Sequence, residues 1–461
     1  MRLLLALALA ATHALANGPS WVAELSDVAP QHLDKLTVYT VPGQHCAVGV
    51  YDTDAIAPEV PSGVTATVRV QWFEHRTVFA GMLEERMAAV PYYLPEPKDC
   101  APTGAWVVEL EPDGVGVYQC KVVCNTNTVQ IMLVCLDLPP SDIGYGFYTD
   151  SVRYPTQGLD AERTYMADMA SHGMSTFTPY ARELGATPWD YAKCLADRIN
   201  AASEVGLADP RFPLLCLSAS PAIIHGAQTF ARGEWPQLIA YNCDEPGRDK
   251  GPEVKALADE AHAAGLLSGT AIDGAIAQEI GDPLDVWVLH MDSMSAAATK
   301  ACADKGKDRW LYNCALRGSN AALHRYWTGL YTWAVKPRVC LTWTYAHDPE
   351  SRIKPDGTWD LRRVYDTATC DRDGKPLPTV ALEGMAEGIV DSRLLQDLEQ
   401  RGGHEAQAYI EKLRESVPLT FWPDGHGRDY GPYVWDVPDV AVPPVDLCAM
   451  RAEVMRLRGD R

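Results

Sequence analysis

The feature that most constrains this chain is a repeated alternation between residues 143 and 346. Short apolar runs alternate there with amphipathic stretches of helical period, a pattern typical of the β–α units that build a parallel sheet. The closely spaced runs favour a compact closed barrel over an open sheet. We therefore predict an α/β fold with a (β/α)8 TIM barrel over residues 141–400. The eight predicted strands are Gly144–Tyr148, Ser175–Pro179, Leu214–Ser218, Leu238–Cys243, Leu267–Ala271, Val286–Met291, Trp310–Ala315 and Val339–Tyr345.

The regions on either side of the predicted barrel carry different patterns. Residues 17–140 alternate with period two, as in Thr65–Trp72 and Val117–Val123, and Asp113-Gly114 supplies a hairpin turn. This pattern predicts a β-sandwich domain that ends at Pro139-Pro140. Residues 401–461 are predicted to form a C-terminal helical extension. The helices predicted near the end of the chain are Thr379–Gln400, His404–Glu415 and Asp446–Arg458.

The first residues and the net charge limit the compartment and the partners. The apolar run from Leu3 to Ala11, followed by Ala14-Leu15-Ala16, predicts a signal peptide over residues 1–16, and hence a secreted or periplasmic protein. Export would permit disulfides among the N-terminal cysteines. The net charge of −21 disfavours nucleic acid as a partner. No segment is long and apolar enough to predict a membrane span, and the oligomeric state stays open.

Cofactor motifs are not found in the sequence. The twelve histidines show no His-Glu-x-x-His spacing or comparable metal-binding arrangement, and no glycine-rich phosphate loop opens a helix after the first strand. We predict neither a metal nor a nucleotide cofactor.

Two adjacent carboxylates mark the end of the fourth predicted strand. Asp244-Glu245-Pro246 stands where a barrel places its active-site residues. Consecutive residues of a regular strand point to opposite faces, so both carboxylates can reach one pocket only if the strand ends or bulges there. Two close carboxylates have separated pKa values, which supplies the acid and the anion that glycosidic cleavage needs. The alternative is an ordinary helix N-terminus, where acidic residues are also favoured.

The seventh strand lacks a carboxylate. In many barrel glycosidases the nucleophile follows this strand, but here the run continues as Asn313-Cys314-Ala315-Leu316-Arg317. This points to the mechanism in which the substrate's own acetamido group attacks the anomeric carbon.

Three segments, in this order, resemble glycoside hydrolase family 123, the β-N-acetylgalactosaminidases that carry a β-sandwich before the barrel. They are Asp244-Glu245-Pro246, the aromatic strand Leu341–Tyr345, and the stretch from Asp373 through Pro378 into the helix up to Asp391. The resemblance implies that Asp244 orients the acetamido group and that Glu245 is the general acid/base. It also implies that Tyr312 binds the acetamido carbonyl and that Trp343 walls the pocket. One segment departs from the family: Val390-Asp391-Ser392-Arg393 replaces an acidic-aromatic stretch, and we predict that this helix is structural.

Further polar and aromatic residues lie at the ends of predicted strands or just after them and complete the candidate substrate-binding set. They are Tyr148, Asp150, Arg153, His290, Asp292 and Tyr345.

The sequence thus predicts an exo-acting hydrolase that removes a terminal 2-acetamido sugar, with a glycan or glycoconjugate as its partner. Two alternatives remain. One is a glycosidase for a sugar without the acetamido group, with Asp150 or Asp292 as the nucleophile. The other is a non-catalytic carbohydrate-binding protein on the same fold.

Overall fold

The computed structural model describes residues 21–24, 35–51, 56–79, 85–94, 105–124, 127–149, 158–180, 188–313, 316, 321–345, 368–370, 376–419 and 445–459. For residues 21–24 of β1, 70–79 of β5 and 85–94 of β6, the structure describes the backbone only. The predicted signal peptide lies outside these ranges and stays a prediction. No described helix has the length and apolar character that crossing a membrane requires.

The N-terminal region consists of two sheets that pack face to face. One sheet has the order β1-β3-β7-β5-β6 and the other the order β2-β9-β8-β4. A shared core contains Val48 and Val108 from the first sheet and Val122 and Ile131 from the second, which confirms the predicted β-sandwich. The strands are β1 Trp21–Glu24, β2 Lys35–Thr40, β3 Cys46–Tyr51, β4 Ile56–Glu59, β5 Val64–Phe79, β6 Glu85–Leu94, β7 Ala105–Pro112, β8 Gly116–Cys124 and β9 Asn127–Cys135.

Eight parallel strands follow and confirm the predicted barrel. Their order is β11-β10-β17-β16-β15-β14-β13-β12. A parallel bridge between Tyr180 and Leu217 connects the ends of the first and last strands of this order, β11 and β12. Each strand overlaps its predicted run. The strands are β10 Gly144–Tyr148, β11 Thr176–Thr178, β12 Leu214–Cys216, β13 Leu238–Tyr241, β14 Leu267–Ile272, β15 Val286–His290, β16 Asp308–Asn313 and β17 Val339–Thr342.

Period-two alternation divides the barrel side chains between two cores. On β15, Val286 and Val288 point into the barrel interior, whereas Trp287 and Leu289 pack against the surrounding helices. The helices of this layer are α1 Gly158–Ser171, α2 Pro188–Glu204, α3 Pro221–Gln228, α4 Gly251–Ala263, α5 Gly274–Ile280, α6 Ala296–Asp304 and α7 Ala321–Tyr326, which continues through a π-helical turn, Trp327–Tyr331, into α8 Thr332–Val335.

Three helices near the end of the chain confirm the predicted helical character. They are α9 Val380–Arg401, α10 His404–Ser416 and α11 Leu447–Arg458, and a short hairpin of β18 Ala368–Cys370 and β19 Pro376–Pro378 precedes them. Thr379 caps α9 by accepting a hydrogen bond from the Leu382 amide, and Asp446 caps α11 in the same way. α9 packs along α7. The predicted domain boundaries at residues 140 and 400 stay predictions.

Candidate active site

The carboxyl ends of the barrel strands carry a group of polar and aromatic side chains, which we call the mouth group. Its members are Tyr148 of β10, Tyr180 after β11, Tyr241 of β13, Asp244 and Glu245 after β13, His290 of β15, Tyr312 of β16 and Trp343 after β17. The tyrosines and Trp343 lie over the interior barrel core. Aromatic residues and carboxylates therefore meet at one end of the barrel, where this fold places its active sites.

A rigid turn positions the carboxylate pair. β13 ends at Tyr241, and the buried Asn242 side chain then donates hydrogen bonds to the Val254 carbonyl (3.1 Å) and to Ser268 Oγ (3.0 Å). The carbonyl of Cys243 accepts a hydrogen bond from Thr270 Oγ1 at 2.6 Å. These contacts hold the chain on α4 and β14 just before the two carboxylates.

Asp244 and Glu245 both reach the mouth because the strand ends before them. Glu245 has a φ of +42°, a left-handed conformation that few non-glycine residues adopt. Both side chains are exposed. The predicted requirement for an interrupted strand is therefore met by the turn, and the costly backbone conformation at Glu245 is of the kind that clusters at functional sites.

The two carboxylates have different partners. The Tyr241 hydroxyl donates a hydrogen bond to Asp244 Oδ1. Glu245 Oε1 lies 3.3 Å from His290 Nε2, and the hydrogen bond from His290 lowers the pKa of Glu245 even though partial burial opposes this. Asp244 is thus oriented by the hydroxyl of Tyr241, whereas Glu245 contacts the imidazole of His290.

His290 connects Glu245 with the aromatic wall. Its ring meets the Tyr312 ring edge-on with centroids 4.9 Å apart, and Tyr312 lies 4.9 Å from the Tyr148 ring. The other ring nitrogen, Nδ1, is 4.0 Å from Asp292 Oδ1. The mouth group therefore contains four of the predicted residues other than the carboxylates, His290, Tyr312, Tyr148 and Trp343. Asp292 lies beside His290.

The two tyrosines beside the carboxylates stay protonated. Burial, followed by the charge of Asp244, raises the pKa of Tyr148 well above its usual value, and Glu245 adds to this. Burial and the neighbouring Tyr148 and Asp244 raise the pKa of Tyr241 in the same direction. Both phenols are hydrogen-bond donors at neutral pH. Tyr180 and Tyr241 were not predicted as site residues, although each stands at the end of an apolar run, which is the signal that would have identified them.

One predicted residue lies elsewhere. Tyr345 is buried among the outer-layer side chains, where its hydroxyl donates to Asp168 of α1 and its ring packs edge-on against Phe147. Tyr345 was predicted as a substrate-binding residue at the end of the eighth strand, Val339–Tyr345, but β17 ends at Thr342. The structure therefore does not bring Tyr345 to the mouth group. The predicted residues Asp150 and Arg153 lie outside the described residues.

The helix segment that departs from the family pattern is part of a buried charge network. Asp391 of α9 accepts hydrogen bonds from Arg325 Nε of α7 at 2.6 Å and from Arg451 Nε of α11 at 2.5 Å. Arg325 Nη1 also lies 3.3 Å from Glu387 Oε2. This network connects three helices around the barrel, as expected for a structural segment.

Comparison with solved structures identifies similar folds. A family 123 glycoside hydrolase from Clostridium perfringens, whose structure was described in connection with glycolipid glycan hydrolysis, matches with a TM-score of 0.58 at 11% identity, over 86% of this chain and 91% of that one. An FMN-binding β-glucuronidase from Facaelibacterium prausnitzii (TM-score 0.34, 10% identity, 82% and 61% coverage) and an Ig-like-domain-containing GH10 xylanase from termite gut (TM-score 0.34, 9% identity, 78% and 100% coverage) also match, but their TM-scores are too low to establish a shared fold. No family model and no curated protein sequence matches the chain. The likeness to the Clostridium perfringens enzyme shows that the two chains share a sandwich-plus-barrel fold.

Proposed function

We propose that this protein is a glycoside hydrolase that removes a terminal 2-acetamido sugar, with β-N-acetylgalactosamine as the preferred residue. The observation that carries the proposal is the adjacent pair Asp244 and Glu245 at the barrel mouth, held by two different partners. One carboxylate is oriented by a phenol and the other contacts an imidazole, so the two are equipped for different tasks.

The choice of an acetamido sugar rests on what the sequence after the seventh strand lacks and on the resemblance in fold. The sequence after β16 contains no aspartate or glutamate between Asn313 and Asn320, so no enzymic nucleophile follows the seventh strand. The neighbour with the same domain order is a family 123 enzyme. An acetamido group brings its own nucleophile and is compatible with such a mouth.

In the proposed reaction, the acetamido oxygen attacks the anomeric carbon while the bond to the leaving oxygen breaks. Asp244, oriented by Tyr241, accepts a hydrogen bond from the acetamido N–H and offsets the positive charge of the oxazolinium intermediate. Glu245 gives its proton to the leaving oxygen. Water then attacks the anomeric carbon, Glu245 takes a proton from it, and the acetamido group is restored with retention of configuration.

His290 bears directly on the proton step. A depressed pKa makes Glu245 a stronger acid once it is protonated but reduces the protonated fraction at neutral pH. The imidazole, 3.3 Å from Glu245 Oε1, is the nearby group with which Glu245 can exchange that proton. Tyr312, Tyr148 and Trp343 supply a wall on which the apolar face of a sugar can rest.

The experiment is the release of 4-nitrophenol from its β-N-acetylgalactosaminide, β-N-acetylglucosaminide and β-galactoside. We expect cleavage of the acetamido sugars only, and loss of that cleavage in Asp244→Ala. Asp249→Ala changes an exposed acidic residue five positions along the chain and is the matched control that should keep full activity.

Leaving-group dependence tests Glu245 separately. A positioned general acid contributes about 10²–10⁴-fold to rate, so Glu245→Gln should lose about that much on a natural disaccharide and much less on the nitrophenyl glycoside, whose leaving group needs little protonation. Equal losses on both substrates would remove Glu245 from the acid role. Cleavage of the β-galactoside that survives in Asp244→Ala would instead favour a sugar without the acetamido group and point to Asp292.

A further inference from the structure

A second cluster of titratable side chains lies where the sandwich meets the barrel and its last helices. It consists of His45, which directly precedes β3, His172, which directly follows α1, and Glu383 in the first turn of α9. The side chains of His172 and Glu383 are 0% and 1% exposed, and that of His45 is 10% exposed. These residues take no part in the proposed hydrolysis.

The donor atoms of the three residues converge. His45 Nε2 lies 3.3 Å from both carboxylate oxygens of Glu383, and His172 Nε2 lies 3.4 Å from Glu383 Oε1. One nitrogen of each ring and one carboxylate oxygen all lie within 4.8 Å of one another. In a tetrahedral zinc site with bonds near 2.0–2.1 Å, neighbouring ligand atoms are separated by about 3.3–3.4 Å. The distances from His45 Nε2 and from His172 Nε2 to the Glu383 carboxylate therefore already match the ligand-to-ligand distance of a tetrahedral zinc site.

The hydrogen bond on the far side of His172 sets its tautomer. Its Nδ1 lies 2.7 Å from the Asp168 carbonyl oxygen, which can only accept, so Nδ1 carries a hydrogen. In the neutral ring, Nε2 then presents a lone pair to a carboxylate oxygen. Two acceptors this close repel each other unless a cation or a proton lies between them. A backbone carbonyl that holds the far ring nitrogen is also the usual support of a metal-bound histidine.

The charges around the cluster favour a cation. Glu109 forms an ion pair with Arg69, and the charges of Glu383 and Asp168 also act on that guanidinium. The three carboxylates outnumber the single guanidinium, and a divalent ion between the ligands would offset that excess of negative charge. The two imidazole rings lie with centroids 4.2 Å apart, and two like charges about 4 Å apart repel by about 4 kcal/mol at an effective dielectric constant of 20. One shared ion avoids the repulsion that two protonated rings would have.

The backbone around the cluster is held independently of any ion. The His45 amide donates to the Ser171 carbonyl at 3.3 Å, and the Gln44 side chain donates to the Ala386 carbonyl at 2.8 Å. Gly173, with a φ of +84°, lies so close that an added Cβ would meet Gln44 Oε1 at 2.7 Å. The ligands thus belong to three separate segments that already contact one another.

We propose that His45, His172 and Glu383 bind a divalent transition-metal ion of the zinc type, with water in the fourth position, and that this ion fastens the β-sandwich to the barrel and to α9. Two imidazoles and one carboxylate are a ligand set that zinc accepts. The site joins segments up to 338 residues apart, so the three ligands come together only in the folded chain. The free energy of metal binding would therefore add to the free energy of unfolding.

The test uses the full chain, stripped of metal with a chelator and then titrated with ZnCl2 or CoCl2. We expect about one ion per chain to be retained after dialysis, a higher unfolding temperature with Zn²⁺, and the visible absorption of four-coordinate Co²⁺. His45→Gln replaces the most exposed ligand and should abolish all three effects. His262→Gln should leave them unchanged, because His262 is an exposed histidine that lies 2.8 Å from Asp285 instead.

Two results would overturn the proposal. One is wild-type protein that retains no ion and whose unfolding temperature neither Zn²⁺ nor the chelator moves; the cluster would then be a protonated ion-pair network. The other is Co²⁺ absorption that persists in His45→Gln. If His45→Gln does not fold, the wild-type cobalt spectrum and metal content decide the question alone. None of these readouts depends on hydrolytic activity.

Discussion

The buried network around Asp391 yields a quantitative prediction about stability. Asp391 is 1% exposed, and its two guanidinium partners, Arg325 and Arg451, are 0% and 4% exposed. Asp391→Asn keeps the shape of the side chain and one acceptor oxygen but removes the charge. Water cannot reach the arginines to replace it, and among the described side chains of the network Glu387, 3.3 Å from Arg325, remains as a carboxylate.

The expected loss follows from these contacts. Removing one partner of a buried ion pair costs about 3–5 kcal/mol, and the remaining Glu387 places this variant near the lower end of that range. At about 1.4 kcal/mol per factor of ten, a loss of about 3 kcal/mol raises the unfolding equilibrium constant about a hundredfold. The kcat of the folded fraction should not change, since the network joins α7, α9 and α11 and not the mouth group.

Urea unfolding followed by tryptophan fluorescence measures the loss. The control is Asp197→Asn, which breaks the exposed Lys193–Asp197 pair, whose side chains are 57% and 26% exposed; exposed pairs contribute about 0–1 kcal/mol. A loss of less than about 1 kcal/mol in Asp391→Asn would refute the reasoning that the substitution leaves Arg325 and Arg451 buried without a compensating charge. A fall in kcat at unchanged stability would instead assign Asp391 to the reaction.

Two further predictions concern histidines. His290→Phe keeps a ring against Tyr312 but cannot donate a hydrogen bond to Glu245, so the pKa of Glu245 should rise. Because a general acid fails once it loses its proton, the alkaline limb of the kcat/KM profile should then move to higher pH. His290→Gln can still donate and should stay nearer the wild type. A limb that does not move, or moves to lower pH, would contradict the acid role. Burial lowers the pKa of His324 to about 4 from an unfolded value of 6.5. The wild type therefore loses stability as the pH falls from 6.5 to about 4. At 1.36 kcal/mol per pKa unit, the total loss is about 3 kcal/mol. The free energy of unfolding of His324→Leu, measured between pH 7 and pH 4, should not show this loss. If the free energies of both proteins fell in parallel with pH, His324 would not be a histidine that burial keeps neutral.

Local patterns in the sequence were sufficient for the architecture. All eight barrel strands coincide with predicted apolar runs, because side chains that alternate between the barrel interior and the helix layer make each buried strand apolar along its whole length. The sandwich and the late helices were predictable for the same reason, since period two and period 3.6 are written in neighbouring residues. Asp244 and Glu245 were predictable because a barrel places strand-end residues at its mouth.

Only the tertiary structure decided where these strands stop and which distant residues meet. The Tyr345 hydroxyl donates to Asp168, and β17 ends three residues before Tyr345. A shift of three residues lies within the uncertainty of strand ends predicted from periodicity. Tyr241 stands at the end of an apolar run, but the turn that follows β13 decides that its hydroxyl donates to Asp244.

The same distinction explains the cluster of His45, His172 and Glu383, which the search for metal-binding spacings missed. The sequence by itself determined the elements of this protein, since each element depends on interactions among residues close together in the chain. The packing of those elements decided the chemistry at the sandwich–barrel contact. Side chains separated by 211 and 338 residues converge only when two domains and a late helix come together, and no local pattern encodes that meeting.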